Sequence, residues 1–124
     1  MLRKFKKFNF QVLNILLCSA VLLFCMEEFS FSLPQVDEVI SGSAQITQPS
    51  SNTLQITADN NTIINYSSFN INENESVIIN LPSADARILN KVLGNSASQL
   101  LGNLDANGLF ILVNPSGIYI GPKA

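Results

Sequence analysis

The chain has 124 residues, 47% of them hydrophobic and 13% charged, with a formal net charge of −2, which bounds it at a single domain. It contains no histidine, so it lacks the usual general base and the commonest metal ligand. Its two cysteines cannot form a Cys/His set for zinc.

The amino-terminal end reads as a targeting segment. Met1 to Gln11 carries Arg3, Lys4, Lys6 and Lys7 and no acid. Val12 to Met26 is almost wholly apolar, broken mainly by Asn14, Cys18 and Ser19, and Ser30 and Ser32 then flank Phe31. A basic end, an apolar stretch and a small-residue site are the layout of a secretory signal peptide. The apolar stretch is shorter than the roughly 18 residues of a spanning helix. The expectation is a signal peptide over residues 1–32, cleaved after Ser32, and export through the inner-membrane machinery.

Cleavage there leaves Leu33–Ala124, in which Arg87, Lys91 and Lys123 face seven acids, a net charge of −4. Such a surface has no basic patch for phosphate backbones, which argues against nucleic acid as a partner. Cys18 and Cys25 both lie in the apolar stretch, so the remainder has neither disulfide nor thiol. Neither is preceded by the small residue a lipoprotein cleavage site needs. No cofactor is implied.

After Leu33, short β-branched runs recur. The pattern predicts strands at Ser43–Gln48, Thr53–Thr57, Thr62–Asn65, Ser76–Leu81, Arg87–Leu93, Leu109–Val113 and Ile118–Ile120. Clusters such as Pro49-Ser50-Ser51-Asn52, Ala58-Asp59-Asn60-Asn61 and Asn114-Pro115-Ser116-Gly117 separate them. Many short strands with turn chemistry between them indicate an all-β fold. Only Ala84–Leu101 has helical spacing, and Gly94, Asn95 and Gly102 argue against a long helix there. A sandwich and a parallel solenoid compete. Thirteen asparagines lie in the 92 residues from Leu33 onward, mostly at strand ends or in turns. Asparagine tolerates the left-handed conformation of tight corners, which favours the solenoid.

Asn107-Gly108 and Asn114-Pro115-Ser116-Gly117 frame the apolar run Leu109–Val113. The Asn-Gly pair suggests a turn of positive φ, and Pro115 with Gly117 a second one, around a buried strand. One turn hydrogen bond at Asn114 is worth about 1 kcal/mol. Phe69, isolated among polar residues, is expected to plug the core near a chain reversal, with an exposed recognition aromatic as the alternative. The acids Asp37, Glu38, Glu73, Glu75, Asp85 and Asp105 fall mostly in expected loops and read as solvated, not as a glycosidase pair. No nucleophile elbow or Ser-x-x-Lys pattern occurs. An enzymatic role is not expected.

Taken in order, five blocks resemble the amino-terminal domain of two-partner secretion exoproteins, the filamentous haemagglutinin family with its haemagglutination activity domain. They are Leu33-Pro34, then Gly42-Ser43-Ala44-Gln45-Ile46, then Asn65-Tyr66-Ser67-Ser68-Phe69-Asn70-Ile71. Leu89-Asn90-Lys91-Val92-Leu93-Gly94 follows, and last the series Ser98, Gly102, Leu104, Ala106-Asn107-Gly108, Asn114-Pro115, Gly117-Ile118 and Gly121. Tyr66 stands where the family usually has Trp, Lys91 where it has Arg, and Ser116 where it has Asn. The resemblance implies a right-handed parallel β-helix with an amino-terminal cap over residues 33–124, shorter than family domains at its carboxy-terminal end. It further implies recognition in the periplasm by an outer-membrane β-barrel transporter with polypeptide-binding domains, and display as an adhesin or release at the cell surface. A host receptor would be met by a longer passenger. Asn65, Phe69, Asn70, Asn90, Asn107, Gly108, Asn114, Pro115 and Gly117 are the candidates for transporter recognition or for structural turns. An inactive fragment, or a generic secreted all-β module, is the alternative.

Overall fold

The computed structural model describes residues 32–124, so the expected signal peptide, including Ser30 but not its last residue Ser32, lies outside the described residues. The described residues form ten strands and no helix. They are β1 (Gln35–Ser41), β2 (Ala44–Ser50), β3 (Thr53–Ala58), β4 (Thr62–Ser68), β5 (Ser76–Asn80), β6 (Arg87–Val92), β7 (Ser98–Leu100), β8 (Asn103–Ala106), β9 (Leu109–Val113) and β10 (Ile118–Ile120). β-Branched and aliphatic residues dominate the longer strands, as a pleated, half-buried surface favours.

The strands sort into three sheets, β1-β4-β6-β9, β2-β3-β5-β8 and β10-β7. Every pairing after the first strand of each larger sheet is parallel. Thr53 faces Ser76 and Ser76 faces Asn103. Thr62 faces Ile88, and Ile88 faces Phe110. Each pass along the chain thus lays a new strand on the last in unchanged order. Like side chains stack as a result: Leu54 over Val77 over Leu104, and Ile56 over Ile79 over Ala106. Ile71, bridged in parallel to Leu100, extends the same order to the third sheet, where Leu100 pairs with Ile120.

β1 and β2 depart from this pattern. They run antiparallel to β4 and β3 and close one end of the stack. Gly42, at φ +81°, turns the chain between them. A β-carbon there would fall 2.4 Å from the Thr62 hydroxyl, so both conformation and space call for glycine. Val36, Val39, Ala44 and Ile46 pack from these two strands against the core.

The core runs along the stack through Leu54, Ile56, Ile64, Tyr66, Phe69, Ile71, Val77, Ile79, Ile88 and Val92. Beyond it, the inward-facing Ile118 and Ile120 remain exposed, because no described strand lies over them.

Compared with the sequence pattern, β9 and β10 keep their expected bounds, whereas β1, β7 and β8 had no expected counterpart. β2 extends through Pro49 into the expected turn. Ala84–Leu101, the stretch of helical spacing, carries β6 and β7. β9 is not a buried strand. It ends its sheet order, and Leu109, Ile111 and Val113 face outward, from 38% to 53% exposed.

Candidate functional site: the asparagine corners

Successive strands are joined at corners, and asparagine amides tie each corner to the one beneath it. Only Asn61, at φ 62°, adopts the left-handed conformation among the described non-glycine residues. The expectation that asparagines serve mainly by tolerating positive φ is therefore corrected. Asn60, Asn70, Asn107 and Asn114 serve instead through their side chains, which carry a donor and an acceptor that can match a neighbouring peptide group.

Asn107 shows the pattern most plainly. Its Oδ1 accepts from the Leu81 N–H and its Nδ2 donates to the Leu81 carbonyl at 2.8 Å, as a paired strand would. Neither Asn107 nor Gly108 has positive φ, so the expected left-handed Asn-Gly turn is absent. Gly108 is required by space instead, since a β-carbon would lie 2.6 Å from the Ala86 carbonyl. At the same corner, Asn60 Oδ1 accepts from the Arg87 N–H at 3.0 Å.

The next corner contains Asn70 and Asn114. Asn70 Oδ1 accepts from the Gln99 N–H at 2.9 Å. Asn114 Nδ2 donates to the Ser96 carbonyl at 3.1 Å and to Ser98 Oγ at 2.9 Å, while its Oδ1 accepts from the Ser116 N–H at 2.9 Å. The Gly117 N–H closes the turn on the Asn114 carbonyl at 3.0 Å. Pro115 occupies the exposed second position, and Gly117 sits at φ +109°. Asn114 and Ser98 are both buried. The single turn hydrogen bond expected at Asn114 is thus three, one of them to a buried hydroxyl.

Asn90 is not at a corner. It lies inside the core on β6, fully buried, where Oδ1 accepts from the Tyr66 hydroxyl at 2.8 Å and Nδ2 donates to the Ile111 carbonyl at 3.1 Å. Burial pushes the Tyr66 phenol well above the usual tyrosine range. Phe69, 1% exposed, packs edge-to-face on Tyr66 at 5.0 Å and tilts toward Phe110 at 5.8 Å. It therefore fills the core just beyond β4 and is not an exposed recognition aromatic.

Asn65 differs from the rest. It points outward from β4 beside Lys91 of β6, half-buried, and among the described residues no group bonds its amide. Ser32, the residue before the expected cleavage point, bonds the Glu75 carboxylate through its hydroxyl, and Leu33 is 7% exposed. The acids do not converge: among the described residues no three His, Cys, Asp or Glu groups are placed to hold a metal.

Nine of the sequence candidates therefore divide three ways. Phe69 and Asn90 are core, Asn65 is surface, and Asn70, Asn107, Gly108, Asn114, Pro115 and Gly117 make corners. The sequence pattern did not single out the outward row formed by Ile63, Leu89 and Ile111, which the ladders bring together.

Residues 32–124 match the TPS secretion domain family. Among solved structures, the HMW1 secretion domain from Haemophilus influenzae is similar at 39% identity and a TM-score of 0.68, covering 71% of this chain and 23% of that one. Two heme/hemopexin-binding proteins of H. influenzae are 35% and 32% identical over 88 residues each. The aligned regions cover 71% and 70% of this chain, but only 10% of either relative.

Proposed function

The chain belongs to the TPS secretion domain family, the amino-terminal domain of two-partner secretion exoproteins, and from that premise we propose that it addresses a polypeptide to a cognate outer-membrane transporter. The observation that carries this reading is the match over all described residues, joined to the likeness to a solved secretion domain. In this reading the chain crosses the inner membrane, is met in the periplasm by the transporter's polypeptide-binding domains, and folds outside the cell as a right-handed parallel β-helix with an amino-terminal cap. The parallel ladders and the antiparallel β1 and β2 support that architecture. No cysteine follows Cys25, so no disulfide can lock residues 33–124 before threading. Extended segments with free edges can add to a partner's sheet, which is the chemistry such binding domains need.

In this reading cleavage after Ser32 comes before folding, and the burial of Leu33 and Pro34, which hinders a peptidase at that bond in the folded domain, supports that order. Co-expression with the cognate transporter is expected to place a protein beginning at Leu33 outside the cell. Retention in a membrane fraction with Met1 intact would overturn the reading.

For the corner asparagines we propose a role in export that acts through folding, because their amides are already occupied within the stack. Asn114→Ala leaves the Ser98 hydroxyl unpaired in the interior and is expected to cost about 2–3 kcal/mol. Gly117→Val forces a β-branched residue into positive φ and is expected to cost at least as much. Melting temperature and the amount of folded protein outside the cell should fall together across both variants, whereas binding to the transporter's purified periplasmic domains, which precedes folding, should stay near that of wild type. Weak binding by an Asn114→Ala variant of unchanged stability would instead make Asn114 a direct contact.

A further inference from the structure

The two large sheets differ in what they show to solvent. Outward positions of β3, β5 and β8 are Thr53, Gln55 and Thr57, then Ser76, Ile78 and Asn80, then Asn103 and Asp105. Apart from Ile78 this is the polar face expected of a solvated sheet. On β4, β6 and β9 the outward positions are apolar to an unusual degree. Ile63 pairs with Leu89 and Leu89 with Ile111, forming one aliphatic row across three strands. Arg87 beside Leu109 and Lys91 beside Val113 bound that row on either side. A depression of about 220 Å³ opens on the Arg87 side of it, lined by Ile63, Leu89 and Ile111 together with Asn61, Thr62, Arg87 and Ile88.

Charge identifies what fits there. The described residues carry three cations, and two of them, Arg87 and Lys91, are on this face. Among the described residues the one salt bridge joins Lys123 to Glu73, so neither Arg87 nor Lys91 has a carboxylate partner. Glu38, opposite Asn65 and two strands from Lys91, lies on the order of 10 Å from it at ordinary strand spacing, and Asp85, two residues before Arg87, and Asp59, beside Asn60, form no ion pair with Arg87. A second copy packed symmetrically on this face would bring Arg87 and Lys91 against their own like charges, which disfavours it. Arg87 and Lys91 match a segment with two carboxylates but fall short of the about four to eight clustered Lys or Arg of an anionic-membrane site.

We propose that the outer face of β4, β6 and β9 is a docking surface for an extended acidic polypeptide segment of the form Glu-x-Val-x-Glu. Along β6 the outward side chains read Arg87, Leu89, Lys91, at two-residue intervals. An extended segment repeats its side chains at the same interval, about 6.8 Å, so a carboxylate meets each cation and the central aliphatic side chain enters the depression. The pairs are partly exposed, so they set register and selectivity while the aliphatic contact contributes most of the affinity. A further strand paired to the free edge of β9 would lengthen this face without covering it. The proposal concerns the folded domain and is independent of how the chain reaches the cell exterior.

The test uses the folded chain and a fluorescein-labelled peptide, Ser-Glu-Ser-Val-Ser-Glu-Ser, followed by anisotropy. Saturable binding is expected, weakened about tenfold or more by Leu89→Ser and by Arg87→Glu combined with Lys91→Glu, corresponding to about 1.4 kcal/mol per tenfold. These side chains face solvent, so the circular dichroism of each variant should stay that of the parent. A peptide with Lys in place of both Glu residues should bind at least tenfold more weakly. Equal binding of the two peptides overturns the proposal, as does absence of saturation. Concentration-dependent self-association lost in Leu89→Ser would assign the face to a second copy instead. Sedimentation with phosphatidylglycerol vesicles, lost in the same variants, would assign it to a membrane. If Leu89→Ser is exported normally yet binds no peptide, the export reading and this one are separated.

Discussion

Phe69→Ala is expected to destabilise the domain by about 3–5 kcal/mol, the range for removing a buried phenylalanine. The site explains why the upper part of that range applies. Phe69 is 1% exposed and sits between the rings of Tyr66 and Phe110, so its loss opens a cavity and removes two aromatic contacts. Phe110 is only partly buried and comes from the last strand of its sheet, and Phe69 supports it from the inner side. Loss of Phe69 should therefore loosen β9 before β3 or β4. A domain of this size has a total stability on the order of 5–10 kcal/mol, so the variant should lose a large share of it and unfold at a much lower urea concentration. Phe69→Leu keeps most of the volume and should lose about half as much. Urea denaturation, with hydrogen exchange at Ile111 and Leu112, checks both statements. A Phe69→Leu variant as stable as wild type would mean that Phe69 contributes no more than a generic apolar side chain.

The sequence revealed the parts of the fold in which local chemistry and tertiary role agree. β9 and β10 were legible because turn residues bound them on both sides and their interiors are wholly aliphatic or aromatic. β8, Asn-Leu-Asp-Ala, and β7, Ser-Gln-Leu, are short and half polar, and they are strands only because β5 and β10 align them. β1 carries Asp37 and Glu38 in its centre, tolerable on an edge strand with one solvated face. The asparagines were visible as corner residues, but their mode of action was not. An amide that bridges both polar groups of Leu81, 26 positions earlier, has no signature in a local window. β6 was the hardest segment to read. In Arg87–Val92 aliphatic side chains occupy both faces, so alternation does not say which face is inward. The ladders decide it, and they place Asn90 in the core and Leu89, half-buried, on the outward face. The resemblance to the secretion-domain family singled out Asn90 without saying why an amide should stand there.

Asn90→Leu is the second substitution with a large expected effect, and its physics differs from that of Phe69. The amide links the Tyr66 hydroxyl to the Ile111 carbonyl across three stacked strands. Leucine has a similar volume, so the cavity cost is small and the loss comes from two polar groups left without partners. The expected destabilisation is about 2–4 kcal/mol. Tyr66→Phe alone should cost about 1–2 kcal/mol, because it strands only the Asn90 oxygen. Combined with Asn90→Leu, it removes the orphaned hydroxyl. The double variant should therefore be less destabilised than the two single losses added, by about 1 kcal/mol or more. The pH dependence gives an independent check. Burial holds the folded Tyr66 phenol well above the ordinary tyrosine value of about 10. The stability it contributes is complete below that value and declines as pH rises through it, since the unfolded chain ionises first. Wild type should begin to lose stability within about one pH unit of that value and go on losing it as pH rises toward the raised folded value, and Tyr66→Phe should lose less. An additive double variant, together with an alkaline decline equal in Tyr66→Phe and wild type, would show that Asn90 and Tyr66 act separately. A coupled pair would identify the buried amide as the link that fixes the register of β4, β6 and β9, on which the outward row of Ile63, Leu89 and Ile111 depends.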